Sequence, residues 1–572
     1  MRFAAGLRKM RCTSLIVLLL LVPVGAVLAA GGAETIAGHS REQALRLGEA
    51  MYQKGVLPSG APMKAIVQGD IELTGDMSTC SNCHLRSGLG SIEGGVLTPP
   101  TSGSKLYAPL SEPRDIPGSP MKRSNYKSSR PAYTDTSLAN ALLNGIGPAG
   151  NRMIDTMPRY LLDDASLKIL IAYIKDLSSR VSPGVTEDEI RFATVVSSDI
   201  SASDRSALLE PLNAYVRDDW NTRLFSQVKK KVEKDYTGSA DQTPVNPYRK
   251  VSLDVWELSG PPDTWNSQLE ELYRKKPVFA ILGGMVAGPW APIHKFSEKN
   301  RVPCILPTTD LPLISDNDWY TLYFSKGYYQ EGETAAKYLS RVLDLPRNKK
   351  VVQIYRKGDQ GIALAQGFAD TWGKLGNSSL TRMVLPASKK TGKAFWNSLA
   401  QKYPDSVLLV WLGPSDLAGM DSLGAAGKKH PTVFVSATML AGTLTALPDS
   451  VRDFTLITYP NRLPDDDQYP KSLVTSWHAY KNLPVINLKV SSNTFLITSL
   501  LSKVLIEMGG DMYRDYFLDI WDGGKDETNG SATYPVLSFG PGQRYASKGC
   551  YVVSLASGQN PKVNRQSEWI IY

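Results

Sequence analysis

Residues 351–376 read VVQIYRKGDQGIALAQGFADTWGKLG, and this stretch decides the fold of the larger part of the chain. Its first five residues, 351–355, are mostly apolar and β-branched, which is typical of a buried strand. From about Ile362 to Leu375 the apolar residues recur at helical spacing. A strand followed directly by a helix is half of a βαβ unit, so the stretch predicts a parallel sheet covered by helices.

The same alternation of strand and helix runs through residues 188–572. The sequence predicts strands at 192–196, 251–256, 278–282, 302–306, 407–411, 433–435 and 455–458, and helices at 203–217, 264–275, 291–300 and about 493–507. We therefore expect two α/β lobes, each a parallel sheet with helices on both faces. Open α/β sheets bind ligands at the carboxyl ends of their strands, so we expect a ligand cleft between the lobes.

Composition excludes several classes of protein. The chain has 572 residues, of which 42% are hydrophobic and 21% charged, so neither a polytopic membrane protein nor a wholly disordered chain fits. The formal net charge is +9, but four of the positive charges lie in the first eleven residues. The remainder shows no continuous basic stripe of the kind that holds a nucleic-acid backbone, so we expect no nucleic-acid partner.

The N-terminus has the pattern of an export signal. Residues 1–30 begin with basic residues, continue with an apolar run over 14–22, and end with the small residues Ala29 and Ala30. The apolar run is shorter than the roughly 20 residues that span a bilayer. We predict a signal peptide cleaved near Ala29 or Ala30, which places the mature protein in the periplasm. A retained membrane anchor is the alternative.

The strongest chemical motif is CSNCH at residues 80–84. Two thiols one helical turn apart can add to both vinyl groups of one haem, and the adjacent His84 then lies under the iron as an axial ligand. A redox dithiol or half of a zinc site are the other interpretations of Cys80 and Cys83. The sequence holds no second CxxC, and the flanks lack a βαβ pattern. We therefore predict one covalent haem c.

Residues 31–182 resemble the class I cytochromes c, which are all-α proteins that carry one haem. The resemblance rests on CSNCH, on GIGPAG at 145–150, on MPRY at 157–160 and on the helical stretch LIAYIKDL at 170–177. It implies that Cys80 and Cys83 form the haem thioethers and that His84 is the proximal iron ligand. It also implies that Met157, which precedes a proline, is the distal ligand, with Met153 as the alternative. A displaced Met would leave an open iron site.

Residues 188–572 resemble the type I periplasmic binding proteins, in particular the leucine/isoleucine/valine receptor group. The resemblance rests on VFAILGG at 278–284, APIHKFSEKNRVPCILPTTD at 291–310, YFSKGYYQEGETAAKYL at 323–339 and YPVLSFGPGQRY at 534–545. It implies a two-lobed α/β fold around a small-molecule ligand.

The ligand clamp of that family is only half present. In the family, small hydroxylated residues after the third and fourth strands hold the carboxylate and ammonium of an amino acid. Here the first loop, 285–290, has no Ser or Thr, whereas the second contains Thr308, Thr309 and Asp310. Two alternatives to an amino-acid ligand therefore stay open, namely a different small molecule and no ligand. Trp290 is either a stacking surface for a ligand or a core residue.

Cys304 and Cys550 are the two cysteines of this half. The periplasm oxidises accessible pairs, so one interpretation is a disulfide that ties the C-terminal segment to the first lobe. The other is a pair of buried thiols that act as small hydrophobic residues. Sequence does not supply the Cα separation that decides between them.

Three functions are compatible with this sequence. The first is a periplasmic electron carrier whose redox partner is another protein, such as a dehydrogenase, and whose second half recognises a small solute. The second is a solute receptor of the ABC-transporter type with the haem as a redox sensor. The third is a haem enzyme with an open iron position. Motifs of nucleophilic, zinc-protease and nucleotide enzymes are absent from the sequence, so we expect a carrier rather than a catalyst.

Overall fold

The computed structural model describes residues 35–93, 96–110, 130–217, 249–341, 349–424, 430–523, 531–540 and 542–571. An N-terminal unit is followed by two α/β lobes. The predicted signal peptide, with its cleavage near Ala29 or Ala30, lies outside these residues. Across the described ranges, every helix is too short or too polar to cross a membrane.

In its described residues, the N-terminal unit combines five α-helices with short strands. The helices are α1 (Arg41–Lys54), α2 (Ser81–His84), α3 (Gly103–Leu106), α4 (Asp135–Asn144) and α5 (Asp164–Asp176). The strands are β1 (Thr35–Ile36), β2 (His39–Ser40), β3 (Lys64–Val67), β4 (Ile71–Thr74), β5 (Ser91–Glu93), β6 (Val96–Thr98) and β7 (Arg159–Tyr160). The helical stretch expected at 170–177 lies in α5 except for Leu177, which directly follows the helix.

The close crossing of α1 and α5 organises this unit. Ser40 caps α1 by accepting the backbone N–H of Gln43, and Asp163 caps α5 by accepting that of Ser166. At the crossing, a Cβ on Gly48 would lie only 2.4 Å from the Cβ of Tyr173. Only glycine permits this approach of the two helices.

The expectation of an all-α unit is not what the structure shows, because β4, β3 and β7 form a three-stranded antiparallel sheet. Gln68 and Gly69 both have positive φ, at 54° and 94°, and reverse the chain between β3 and β4. On β7, Tyr160 pairs with Ala65 of β3, and both side chains are buried. The strands are only two to four residues long, too short for a clear alternating pattern in the sequence.

Lobe I begins with a five-stranded parallel sheet. Its elements are β8 (Glu189–Ser197), α6 (Ala202–Arg217), β9 (Lys250–Leu258), α7 (Trp265–Lys275), β10 (Ala280–Leu282), α8 (Ala291–Asn300), β11 (Cys304–Ile305) and β12 (Thr321–Leu322). The strand order is β9-β8-β10-β11-β12, with every pair parallel. This order reverses between β8 and β10, which makes that edge the switch point where open α/β sheets bind ligands.

Lobe II repeats the same plan. Its elements are α9 (Tyr328–Arg341), β13 (Val351–Arg356), α10 (Asp359–Lys374), β14 (Thr381–Leu385), α11 (Lys393–Lys402), β15 (Val407–Trp411), β16 (Thr432–Ser436) and β17 (Thr455–Tyr459). The order is β14-β13-β15-β16-β17, again parallel throughout, with its switch point between β13 and β15.

The chain then returns to each lobe once more. Helices α12 (Tyr469–Tyr480), α13 (Leu488–Met508) and α14 (Arg514–Asp522) follow β17, and the core of lobe I includes residues of α13 and α14. Strands β18 (Gly549–Leu555), β19 (Val563–Arg565) and β20 (Ile570–Ile571) extend the sheet of lobe II, where β18 lies antiparallel to β17. The described chain thus crosses between the lobes three times, and the predicted two-lobed α/β fold is confirmed.

Replacing Gly48 with alanine tests the helix crossing. The added methyl would overlap Tyr173, so we expect Gly48→Ala to destabilise the N-terminal unit by about 1–3 kcal/mol. The matched control is Gly373→Ala in α10, where a Cβ would meet no atom within 4 Å and where alanine favours the helix. Thermal unfolding measures both. Equal melting temperatures for the two variants would contradict the crossing described here.

Candidate functional site

The CSNCH motif forms the single helical turn α2. Cys80 precedes the turn and is buried, whereas Cys83 is exposed. Burial raises the pKa of Cys80 to about 11, although the hydroxyl of Tyr160, 3.5 Å from its sulfur, acts in the other direction. A reactive dithiol needs a lowered thiol pKa, so the surroundings of Cys80 do not favour the redox-dithiol interpretation.

The ring of His84 is buried and oriented by the backbone. Its Nδ1 lies 2.8 Å from the carbonyl oxygen of Pro99, so Nδ1 carries the proton and Nε2 keeps its lone pair. Burial lowers the pKa of His84, with the Pro99 carbonyl acting against this effect. A neutral imidazole with one nitrogen bonded to a carbonyl is the arrangement of a metal-binding histidine.

Met153 and Met157 both pack, partly buried, against the apolar cluster that contains Cys80. The guanidinium of Arg159 holds their loop by donating to the carbonyl of Met157 and, at 3.3 Å, to that of Met153. The structure therefore packs both candidate distal ligands against the same apolar cluster. It does not separate one from the other.

The residues around the motif fit a haem. They supply two thiols on one turn, a neutral histidine and two thioether sulfurs, and an apolar cluster surrounds them: Tyr52, Met63, Leu106, Tyr133, Leu138, Leu142, Tyr160 and Leu167. Elsewhere in the described chain, as here, no group of three His, Cys, Asp or Glu side chains could hold a metal ion by itself. Haem attachment and iron ligation remain predictions.

The predicted clamp residues follow β11 at the carboxyl edge of lobe I, where they bond within the lobe. Thr309 Oγ1 accepts the backbone N–H of Leu311 at 3.1 Å. Both carboxylate oxygens of Asp310 lie 2.8 Å from Lys489 Nζ. Burial would lower the pKa of Lys489, but Asp310 outweighs it and the pKa is raised. The ion pair keeps about a third of its surface exposed, at 34% for Lys489 and 30% for Asp310.

Asn493 completes this edge of lobe I. Its amide nitrogen donates to Thr308 Oγ1 at 3.3 Å, while its Oδ1 is buried without a hydrogen-bond partner. Lys489 and Asn493 lie one turn apart on α13. The sequence indicated neither residue as part of the site. The predicted helix begins only at Asn493, and the contacts to Thr308 and Asp310 span nearly 200 residues.

On lobe II, a buried carboxyl group occupies the matching edge. Glu331 on α9 accepts the Thr458 hydroxyl at 2.8 Å, next to the end of β17. Burial raises the pKa of Glu331 to about 7, against the lowering effect of the hydroxyls of Thr438, Thr458 and Ser436, and Asp310 of lobe I raises it further. The backbone N–H of Tyr328, at the start of α9, donates to the Asp310 carbonyl at 3.1 Å, so this edge of lobe I lies next to the helix that carries Glu331. No motif in the sequence singled out Glu331.

The ring of Trp290 is completely buried. It belongs to a core cluster of lobe I with Trp265 and Ile293, and it packs against Gly284. Trp290 is therefore a core residue, which is one of the two roles that the sequence left open. In this conformation the ring has no exposed face with which to stack on a ligand.

Cys304 and Cys550 are both buried free thiols. Cys304 lies on β11 in the sheet of lobe I, whereas Cys550 lies on β18 in the sheet of lobe II. The structure shows no bond between these two described cysteines, and each thiol is buried within its own lobe. Burial raises the pKa of Cys304 to about 12, which suits the alternative of small hydrophobic residues.

Two doubly wound lobes, joined by three crossings of the described chain, define a two-lobed solute-receptor fold. The family described as Periplasmic binding protein matches residues 245–557, more than half of the chain. The chain belongs to this family.

Solved structures of similar fold are distant in sequence. An ABC transporter substrate-binding protein from Sphaerobacter thermophilus has a TM-score of 0.47 at 12% identity, covering 67% of this chain and 98% of that one. A solute-binding protein of an ABC transporter from R. palustris, in complex with 4-hydroxybenzoate, has 0.45 at 15%, covering 67% and 97%. A fatty acid ABC transporter substrate-binding protein from Thermomonospora curvata has 0.43 at 16%, covering 69% and 95%. A comparison with curated proteins found no match.

The buried Glu331 predicts a pH-dependent stability. Its pKa of about 7 in the folded protein exceeds the value of about 4.3 of an unfolded glutamate, so the folded state holds the proton more tightly. This contribution is complete below about pH 4 and is lost as the pH rises through 7. Glutamine does not titrate. The melting temperature of Glu331→Gln, relative to that of the wild type, should therefore rise between about pH 5 and pH 7.5.

The matched control for this titration is Glu42→Gln, an exposed helical position paired with Arg46. Its melting temperature should follow the wild-type pH profile. Parallel profiles for Glu331→Gln and wild type would contradict the raised pKa of Glu331.

Proposed function

We infer that this chain is an extracytoplasmic receptor for a small solute. The observation that carries this function is the meeting of two strand edges. On lobe I, Asp310 pairs with Lys489, and its carbonyl accepts the N–H of Tyr328 at the start of the helix that carries Glu331 of lobe II. A solute bound between them draws the lobes together by hinge motion at the three crossings. Membership of the periplasmic binding protein family supports both the function and a location outside the cytoplasm.

The internal contacts of lobe I bear on the solute. Asp310 is neutralised by Lys489, and the Thr309 hydroxyl accepts a backbone N–H. Asp310 is therefore not free to hold the ammonium of an amino acid, whereas the Thr309 hydroxyl can still donate its proton to a carboxylate. A small molecule of different chemistry suits this edge better, and a membrane transporter of the ABC class is the partner that such a receptor serves.

The N-terminal unit, residues 31–182, is proposed to carry one covalent haem c, which supplies one-electron redox chemistry when bound. Cys80 and Cys83 would hold it through thioethers, and His84 would bind the iron. The opposite ligand would be Met157, with Met153 as the alternative. The contact of His84 Nδ1 with the Pro99 carbonyl supports this assignment, because it leaves Nε2 to the metal.

A haem bound in this unit would give the chain a second function, which is electron transfer. A histidine and a methionine together fill the coordination of a haem iron, which suits an electron carrier. Its partner would be a donor or acceptor protein of the periplasm, such as a dehydrogenase. In the receptor, the haem would instead report the redox state of the surroundings.

The mass of the mature protein tests the haem. Produced in a host that attaches c-type haem, it should exceed the polypeptide mass by one haem under denaturing conditions. The double variant Cys80→Ala, Cys83→Ala should lose this increment, whereas the control Cys304→Ala, a buried thiol outside the motif, should keep it. A wild-type protein of bare polypeptide mass would contradict the haem assignment.

Thermal shift tests the receptor function. A ligand at a hundred times its Kd should stabilise the protein by about 2.7 kcal/mol, which raises the melting temperature by several degrees. The panel contains L-leucine, L-isoleucine, L-valine, aromatic acids and acids derived from alcohols, with D-leucine as the matched control for L-leucine. We expect an acid without an ammonium group to shift the transition. The absence of any shift across the panel would contradict the receptor function for these solute classes.

A further inference from the structure

The N-terminal unit is joined to lobe I directly beside the haem motif. The backbone N–H of Ser87, three residues after His84, donates to Asp519 Oδ2 at 2.9 Å in a buried contact. The guanidinium of Arg86 lies 4.3 Å from the ring centre of Trp319 of lobe I. Arg544 of lobe I lies at the same distance from that ring. The chain that follows the motif is thus fastened to lobe I by a hydrogen bond and a cation–π contact.

A chain of backbone contacts connects Ser87 to the ring of His84. The carbonyl of the next residue, Gly88, accepts the N–H groups of Thr101, at 2.7 Å, and Ser102, at 3.0 Å. These residues directly follow the segment whose Pro99 carbonyl accepts His84 Nδ1 at 2.8 Å. A displacement of Ser87 therefore moves the group that orients His84.

The loop around Gly88 has little room to move independently of the contact between Ser87 and Asp519. Gly88 has a φ of +69°, and a Cβ there would lie 2.5 Å from Leu177 Cδ2. The hydroxyl of Tyr52 contacts the Leu85 carbonyl at 3.0 Å and Thr101 Oγ1 at 3.1 Å. The two segments of the loop, around Leu85 and around Thr101, are thus held together, so they move as one body with respect to lobe I.

Asp519 itself is held rigidly. It lies on α14, whose neighbouring residues Phe517, Leu518 and Trp521 are buried in the core of lobe I. Asp519 is 6% exposed, and two further acidic residues, Asp515 and Asp522, lie on the same helix. Asp522 is paired with Arg544, and Asp515 accepts the hydroxyl of Tyr320 at 3.0 Å. Asp519 is the member of this acidic row that bonds to the N-terminal unit at Ser87.

We propose that Asp519 is a positioning residue for the haem site, so that a carboxylate of the receptor lobe fixes the loop that orients His84. This inference deepens the proposed function and rests on it where iron is concerned. The role is indirect, because Asp519 acts through Ser87, Gly88 and Pro99 rather than on the iron. A receptor lobe would in this way set the ligand geometry of a haem carried by a separate unit.

The test compares Asp519→Ala, Asp519→Asn and the matched control Asp515→Ala in the full-length protein. Hydrogen exchange of the peptides around Gly88 and Thr101 requires no haem. Loss of the buried acceptor should raise exchange there by roughly tenfold or more in Asp519→Ala. Asparagine keeps an oxygen that accepts the Ser87 N–H, so Asp519→Asn should restore most of the protection. Asp515→Ala should leave exchange at both peptides unchanged.

The second readout concerns the iron. In protein shown by mass to carry haem, Asp519→Ala should weaken the Met–iron charge-transfer band and shift the reduction midpoint, whereas Asp515→Ala should do neither. Wild-type exchange and midpoint in Asp519→Ala would overturn the proposal, as would equal effects of Asp515→Ala. A wild-type protein without haem would instead overturn the haem assignment and the iron part of this inference, while the exchange result would still decide whether Asp519 positions the loop.

Discussion

The constraint on which the structure depends is that parallel strands all end at one edge of a sheet. In each lobe that edge collects the loops that follow the strands, and the polar groups on these loops must find partners. In lobe I they do so within the lobe, since Asp310 pairs with Lys489 and Thr308 accepts from Asn493. In lobe II, Glu331 is satisfied by the hydroxyl of Thr458. The arrangement of the cleft follows from these pairings rather than from a single motif.

Among the described residues, the N-terminal unit is attached to lobe I. Besides Ser87, its Glu49 pairs with Arg301 and its Lys105 with Asp511, and both partners belong to lobe I. The two charged pairs lie around the contact surface between the N-terminal unit and lobe I, and the buried bond to Asp519 lies within that surface. Each contact therefore supports the others. A hinge motion of the receptor would therefore move lobe II while the N-terminal unit stays with lobe I.

How much of the fold and of the site could be predicted depends on how far apart along the chain the residues concerned lie. The strands at 351–355 and 407–411 were predicted because they are buried apolar runs. Strand β14 was missed because it is mostly exposed, and the strands of the N-terminal unit were missed because they are so short. The motif from Cys80 to His84 is local and therefore visible in the sequence. Asp519 was not, since 432 residues separate it from Ser87 and only the fold brings them together.

We propose one chain that combines a solute-receptor fold with a haem unit attached to lobe I. The visible absorption spectrum of the purified mature protein, recorded oxidised and then reduced with dithionite, decides whether that haem is present. An intense Soret band is expected and, on reduction, the sharp α band of a c-type haem at one haem per chain. A spectrum with only the protein absorption near 280 nm would contradict it.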